Sequence, residues 1–185
     1  MAISTQSGVT LIEVLVAVVV LAVGLLGTLQ LHLVAQRSSF ESFQHARALT
    51  LAEAMLERIR LNPSQLAAYQ GSYGDSAPSP PSPGCVSASS VITPCTPTQM
   101  LDWDGYQWAM ALRGDGERKG GQARGLAQAR GCIRVQGSRV EVVVSWQSRH
   151  GTQDGATSGD SWRQGCGSGG SRRRQAYLNS SKVPL

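Results

Sequence analysis

A long apolar run near the N-terminus dominates the hydrophobic pattern of the chain. Residues 14–27 carry no polar side chain, and the apolar character extends over residues 9–29. The segment approaches the roughly 20 residues that a helix needs to cross a bilayer. Glu13 stands near its start, where a carboxylate inside lipid costs roughly 2.5–3.5 kcal/mol. A functional partner for this acid is therefore expected.

The apolar run passes without a linker into an amphipathic pattern. Apolar residues recur there at steps of three and four, which predicts a continuing helix with one buried face. Asn62 and Pro63 end it, because the residue before a proline disfavours helix. The pattern predicts one helix over residues 9–61, about 80 Å long, with its transmembrane half over residues 9–31. The predicted buried stripe is Phe43, Ala46, Leu49, Ala52, Leu56 and Ile59.

The pattern of residues 62–185 predicts one globular domain with irregular loops and an antiparallel sheet. Serine, proline and glycine make residues 64–97 an irregular loop, and residues 114–125 and 151–170 also lack periodicity. Strands are predicted at 103–112 and 172–178, the latter at an edge. The clearest signal is a hairpin of 132–135 with 140–146 across the turn 136–139. The predicted fold class is α+β, with the long helix packed on a small sheet.

Composition limits the size of this domain. The 185 residues include 21 glycines and 8 prolines but only 5% aromatic residues, so a small core with much loop is expected. The net charge is +5, and the densest basic cluster is Arg172, Arg173 and Arg174. We interpret this cluster as a solvated strand or tail in preference to a nucleic-acid site.

The polar residues do not form a catalytic pattern. The three histidines are scattered, and the acidic pairs around residues 103 and 116 are interpreted as surface-loop acids. The sequence has no phosphate-binding loop, nucleophile motif or metal-ligand cluster, so we expect a protein that is not an enzyme, with no cofactor and no metal. The scattered histidines are His32, His45 and His150, and the acidic pairs are Asp102 with Asp104 and Asp115 with Glu117.

Four cysteines follow the apolar helix: Cys85, Cys95, Cys132 and Cys166. Their spacing includes no CxxC pair and no histidine at zinc-ligand distance, which favours disulfides in an oxidising compartment. Four cysteines allow three pairings. Proximity in sequence favours Cys85–Cys95 and Cys132–Cys166.

The residues Gly8, Val9, Thr10, Leu11, Ile12 and Glu13 resemble the processing motif of type IV prepilins and type II secretion pseudopilins. The resemblance implies that a prepilin peptidase removes residues 1–8, cutting between Gly8 and Val9, and methylates the new Val9 amine. It also implies that Glu13 serves assembly. A Glu13 carboxylate and the Val9 ammonium of a neighbouring subunit offset each other's desolvation.

A secretory signal peptide and a plain membrane anchor are the competing interpretations. The leader, residues 1–8, contains no Lys or Arg, unlike most prepilin leaders and unlike the basic start of a signal peptide. A signal peptide also needs a small-x-small cleavage site after its apolar run, and none follows Leu26. Neither alternative accounts for Gly8 followed five residues later by Glu13.

Within this superfamily the chain resembles the minor pilins, and it lacks the proline that major pilins commonly carry in the apolar helix. The resemblance implies a single-pass protein of the inner membrane and pilus of a Gram-negative bacterium, with a periplasmic domain. Implied partners are prepilin peptidase, other minor pilins, the major pilin, membrane lipid and a pilus-tip adhesin. A type II secretion pseudopilin and a DNA-uptake pilin remain alternatives.

Overall fold

The structure, a computed structural model, describes residues 8, 10–82, 84–85, 94–115 and 125–180. The chain divides into two compact units, residues 1–42 and residues 43–185. The predicted roles of Val9 and Glu117, and most of the predicted flexible loop 114–125, fall outside the described residues. The elements in chain order are helix α1 (Leu11–Leu61), a 3-10 helix (Pro63–Tyr69), β1 (Gly71–Tyr73), α2 (Pro97–Arg113), β2 (Arg130–Gln136), β3 (Arg139–Gln147), α3 (Ser161–Gln164) and β4 (Arg173–Ser180).

The first unit contains the N-terminal part of α1. The Thr10 carbonyl accepts hydrogen bonds from the backbone N–H groups of Glu13 and Val14, which closes the first turn. Every residue from 11 to 40 is exposed. The exposed fraction of the large apolar residues in 11–34 runs from 52% at Leu33 to 81% at Leu11. No described residue of this unit covers the apolar side chains.

The second unit is built on a four-stranded antiparallel sheet of order β1-β2-β3-β4. The predicted hairpin is confirmed as β2 and β3, joined by the two-residue turn Gly137–Ser138. Gly137 has a φ of +61°, as this kind of tight turn requires. The predicted edge strand is also confirmed, because β4 lies at the end of the sheet.

One face of the sheet packs with α1, the 3-10 helix and α2 in a single hydrophobic core. Alternation along β3 places Val140, Val142, Val144 and Trp146 in this core. The buried stripe of α1 differs from the predicted one, since Phe43 is 65% exposed and Ala46 is also exposed. The observed stripe begins one residue later and consists of Gln44, Ala48, Ala52, Met55, Leu56 and Ile59.

The strand predicted over 103–112 is wrong, because these residues form α2. The helix begins with a capping box in which the Thr96 hydroxyl accepts from the Gln99 N–H and the Gln99 side chain accepts from the Thr96 N–H. Pro97 occupies the first turn, and Gly114 ends the helix with a φ of +70°. The predicted irregular loop 64–97 likewise includes the 3-10 helix and β1.

Candidate functional site

The first predicted site is the N-terminal end of α1. Gly8 is exposed, and a Cβ built on it meets nothing within 4 Å. Glu13 lies in the first turn of α1, where a carboxylate interacts favourably with the unpaired N–H groups of the helix start. Both residues are therefore accessible to another protein, and neither is brought to a partner within the chain among the described residues.

The part of α1 that follows Glu13 has exposed side chains as far as residue 40. Among the described residues, α1 is the one helix long and apolar enough to cross a membrane. Its only titratable side chains between Leu11 and Gln36 are Glu13 and His32. A helix that is apolar all round is stable when lipid or other helices surround it. The site is thus a membrane-compatible helix with one carboxylate in its first turn.

The four cysteines lie in the second unit. The structure contains the bonds Cys85–Cys95 and Cys132–Cys166, the two pairs that proximity favours. Cys132 and Cys166 are both buried, and they form a small cluster with Val143 on the sheet face opposite α1. The second bond attaches the segment after α3 to β2.

The segment between β3 and β4, which contains α3, covers that outer face of the sheet. Arg134 of β2 forms ion pairs with Glu141 of β3 and with Asp160, which caps α3 through the Arg163 N–H at 2.9 Å. The Arg134 guanidinium also lies 4.4 Å from the centre of the Trp162 ring. One arginine therefore joins two strands to α3.

Tyr177 of β4 extends this network, and its hydroxyl donates to Glu141 at 2.6 Å. The guanidinium of Arg134 lowers the pKa of Glu141, and the Tyr177 hydroxyl acts in the same direction. Burial raises the pKa of Tyr177, and its bond to Glu141 raises it further. The network favours an ionised Glu141 and a neutral tyrosine, which is the arrangement of a structural contact.

The basic cluster at residues 172–174 was predicted to be a solvated strand or tail; it leads into strand β4, but it is not solvated throughout. Arg173 is only 4% exposed, and its Nε and Nη2 donate to the two carboxylate oxygens of Asp154 at 2.7 and 2.8 Å. The side chain of Arg174 donates to backbone carbonyls, including those of His150 and Ser171 at 3.0 Å. The cluster holds the β3–β4 connection in place, and of its three arginines only Arg172 is exposed.

The acids predicted to lie in surface loops also differ from expectation. Asp102 and Asp104 lie on α2, and Asp104 is buried. Its carboxylate accepts from Tyr69 at 2.7 Å and from Arg58 at 3.0 Å. Burial raises the pKa of Tyr69 well above its usual range, and the bond to Asp104 adds to this effect. Sequence reasoning missed this link because its three members lie far apart in the chain.

The described residues include no group of three or more histidine, cysteine, aspartate or glutamate side chains that could hold a metal ion. The polar clusters of the second unit are ion pairs and caps whose partners are supplied by the domain itself. The described residues thus form an exposed apolar helix and an α+β domain whose β3–β4 connection is tied to β2 by a disulfide.

This combination of a long apolar N-terminal helix and a four-stranded antiparallel sheet defines a pilin-like α+β fold. Two family models match the chain. Residues 3–29 match the prokaryotic N-terminal methylation motif, and residues 28–106 match the Tt1218-like model, described as type IV pilin Tt1218. Over these residues the chain is similar to type IV pilins, a family of structural subunits and not of enzymes. Comparisons with curated proteins and with solved structures gave no match.

Proposed function

We propose that the chain is a minor pilin of a type IV pilus, which is inserted in the inner membrane and helps to prime pilus assembly. The observation that carries this proposal is α1, whose residues 11–40 are all exposed and whose first turn holds the single acid Glu13. The match of residues 3–29 to the N-terminal methylation motif supports it. Such a helix can serve first as a membrane anchor and later as an assembly surface.

Processing precedes assembly in this proposal. A prepilin peptidase cuts between Gly8 and Val9, releases residues 1–8 and methylates the Val9 amine. The open space around Gly8 is compatible with access by a peptidase. The mature subunit then has a transmembrane half over about residues 9–31 and a periplasmic domain formed by residues 62–185 with the rest of the helix.

Assembly then places the Val9 ammonium of one subunit against the Glu13 carboxylate of its neighbour. Each group alone is costly in an apolar environment, and pairing offsets that cost. Glu13 is suited to this role because no other acid occurs between Leu11 and Phe40. The pair would set the stagger between adjacent helices.

The minor position in the pilus rests on resemblance. Residues 15–27 and 49–63 are similar to those of the type IV pilus modification protein PilV, and α1 contains no proline. Proposed partners are other minor pilins, the major pilin and a pilus-tip adhesin, in a Gram-negative bacterium that uses the pilus for adhesion and twitching motility. Co-purification with pilus components, as opposed to type II secretion components, distinguishes a minor pilin from a pseudopilin.

A DNA-uptake role receives less support from the second unit. Such a role needs basic side chains that can reach phosphates. Arg173 is instead buried against Asp154, and the Arg174 guanidinium donates to backbone carbonyls of the domain. Of the three arginines in the basic cluster, only Arg172 is exposed.

The substitution Glu13→Val tests the proposal. A plain anchor should tolerate the change or insert better, because a costly carboxylate is removed. An assembling subunit should still be cut and inserted, but each defective junction would retain an unpaired ammonium at a cost of about 3–5 kcal/mol. We expect normal cleavage at Gly8–Val9, normal membrane content and reduced surface piliation.

The measurements are sheared-pilus yield, a membrane immunoblot and the mass of the mature N-terminus, in a strain with no other copy. Ile12→Val is the matched control, since it changes the neighbouring side chain by one methylene and should leave piliation unchanged. Full piliation by the Glu13→Val protein would refute the assembly role. A mature N-terminus other than Val9 would refute the processing step.

A further inference from the structure

A groove in the second unit has no part in the proposed function. It lies between α2 on one side and β1 with the loop that follows it on the other, and its volume is about 490 Å³. Cavities that bind small molecules in proteins measure about 300–1,000 Å³. The groove therefore has the size of a small-molecule site. Its α2 wall consists of Leu101, Asp102, Gly105, Tyr106 and Ala109, which the helix brings to one side.

Tyr73 of β1 lines the groove and is held in place by the domain. Its hydroxyl donates to the Tyr69 carbonyl at 2.8 Å, and its ring lies edge-on to the Trp108 ring with the two centroids 5.2 Å apart. A Cβ at Gly105 would lie 3.0 Å from Cε1 of Tyr73. Glycine destabilises a helix interior, and the close approach of this ring gives a physical reason for one inside α2. The tyrosine is thus in position before a ligand arrives.

The loop after β1 forms a stiff wall opposite α2. Pro78 and Pro81 line the groove and are half-buried, whereas Ser76 and Ser79 line it and are exposed. Proline fixes its own φ near −65°, and a spacing of three residues is the period of a polyproline II helix. A wall of this kind has little conformational freedom to lose when a ligand binds.

The groove contains polar groups that the domain does not use. Asp102 is exposed and Tyr106 is half-buried. Neither the Asp102 carboxylate nor the Tyr106 hydroxyl is hydrogen-bonded to another described residue, and the same holds for the hydroxyls of Ser76 and Ser79. The Tyr106 ring is supported by that of Trp103, whose centroid lies 5.4 Å away. A supported ring and four available polar groups are thus presented to solvent.

The charges around the groove favour a neutral ligand. Of the two acids that line it, Asp75 forms an ion pair with Arg130, so Asp102 supplies the one carboxylate without a described partner. Among the described residues that line the groove there is no lysine, arginine or histidine. An anion would be repelled by Asp102. A small cation would gain little, because a single exposed ion pair contributes almost nothing in water.

We propose that this groove binds a saccharide. A sugar ring carries several hydroxyls that both donate and accept hydrogen bonds, as the hydroxyls of Ser76, Ser79 and Tyr106 do. Its C–H face packs on an aromatic ring, for which Tyr106 is available. The Asp102 carboxylate accepts from two adjacent sugar hydroxyls, and hydrogen bonds to an ionised acceptor are the stronger kind. Asp102 and Tyr106 are one helical turn apart, so α2 presents both to the same ring.

This inference concerns residues 68–109 and does not rest on membrane insertion, cleavage or pilus assembly. It is tested with the full chain in a zwitterionic detergent that has no sugar headgroup. Saturation-transfer difference NMR is recorded with glucose, galactose, N-acetylglucosamine, lactose and chitobiose. We expect transfer from the protein to at least one of these sugars, strongest at the C–H protons of one face of the ring.

Variants on α2 then locate the binding site. Tyr106→Ala should weaken binding of that sugar about tenfold, because truncation of an aromatic anchor removes its contact area. Tyr106→Phe keeps the ring and should retain most of the affinity. Asp102→Asn should also weaken binding about tenfold, since it replaces the charged acceptor with a neutral amide. Glu53→Gln is the matched control, because Glu53 is exposed on α1 and does not line the groove, and it should leave binding unchanged.

Three results would overturn the proposal. The first is an absence of transfer to every sugar in the set. The second is equal binding by the wild-type chain, Asp102→Asn and Tyr106→Ala, which would place the sugar elsewhere on the protein. Methylguanidinium chloride is added as a cation without hydroxyls, and transfer to this probe alone is the third, because the groove would then be a site for a cationic group.

Discussion

The ion pair between Arg173 and Asp154 joins the start of β4 to the β3–β4 connection. Arg173 also donates through Nη1 to the carbonyl of Gln164, the last residue of α3, at 2.5 Å. Asp154 accepts in addition from the backbone N–H groups of Ala156 and Gly170, each at 2.9 Å. The Arg173 guanidinium is the main reason that the pKa of Asp154 lies well below its usual range. Arg173→Gln removes the centre of this arrangement and leaves the carboxylate without its cation.

The expected loss follows from the burial of the two partners. Removing one member of a buried ion pair costs about 3–5 kcal/mol, because the other charge stays desolvated. The side chain of Asp154 is 22% exposed and so partly screened, which favours the lower end, about 3 kcal/mol. For a unit of this size, that loss corresponds to a fall in Tm of roughly 10 °C.

The assay is unfolding of the full chain in detergent, followed by tryptophan fluorescence and circular dichroism. Arg172→Gln is the matched control, since the adjacent arginine is exposed and a surface change of this kind alters stability by no more than about 0.5 kcal/mol. Asp154→Asn and the double variant complete a cycle, in which the double variant should lose less than the sum of the single losses. Equal stability of Arg173→Gln and Arg172→Gln would refute the reasoning.

Three further changes test the packing of the second unit. Gly131→Ala places a Cβ in steric overlap with the Trp108 ring and should destabilise the domain by about 1–3 kcal/mol, measured by urea unfolding. Gly71→Ala is the control and should cost far less, because its Cβ would lie 3.9 Å from its nearest neighbour. Cys132→Ser should lower resistance to protease by removing about 2–4 kcal/mol, and equal resistance with and without reductant would show that the bond is not structural. Burial raises the pKa of Tyr73 from 10.0 to about 12, so the unfolded chain releases the tyrosine proton at a lower pH than the folded one. The free energy of unfolding should therefore fall as the pH rises from about 10 to about 12, and Tyr73→Phe should make this fall less steep.

The N-terminal helix could be predicted from the sequence because its pattern has one physical solution. A run of apolar residues from 14 to 27, followed by steps of three and four, forms neither a short strand nor a loop. The hairpin of β2 and β3 was predictable for a similar reason, since two runs rich in β-branched residues flank a turn that contains glycine. In both elements the local pattern and the tertiary packing favour the same structure.

Helix α2 was mispredicted although its signal is present in the sequence. Trp103, Tyr106 and Trp108 favour a strand by propensity, but such propensities span only about 1 kcal/mol and depend on context. Thr96, Pro97 and Gln99 form a helix start, and Trp108 and Leu112 are four residues apart on one face. Capping and spacing therefore outweighed the aromatic propensity.

The buried contacts of Asp104 could not be predicted from the sequence. Its partners Arg58 and Tyr69 are 46 and 35 residues away in the chain. Only the packing of α2 near the end of α1 and the 3-10 helix brings them together. A charged residue in a sequence has the same appearance whether it is solvated or paired, so the burial of Arg173 was missed for the same reason.

The outer face of the sheet shows how so loop-rich a domain can be held in one conformation. In the described part of the chain no long helix lies over this face. Its apolar cluster is small, with Cys132, Val143 and Cys166 as its buried members. The bond Cys132–Cys166 closes a separation of 34 residues, which on the chain-entropy model contributes roughly 4 kcal/mol. Net stabilities of domains are about 5–15 kcal/mol, so this one bond is a large share. Arg134 of β2 and Arg173 of β4 form ion pairs with Asp160 and Asp154 of the segment that covers this face. The strength of these ion pairs depends on the desolvation that the covered face provides. The covering segment therefore depends on covalent and ionic contacts more than on apolar burial, and its stability depends on an oxidising environment in a way that the α1-facing core does not.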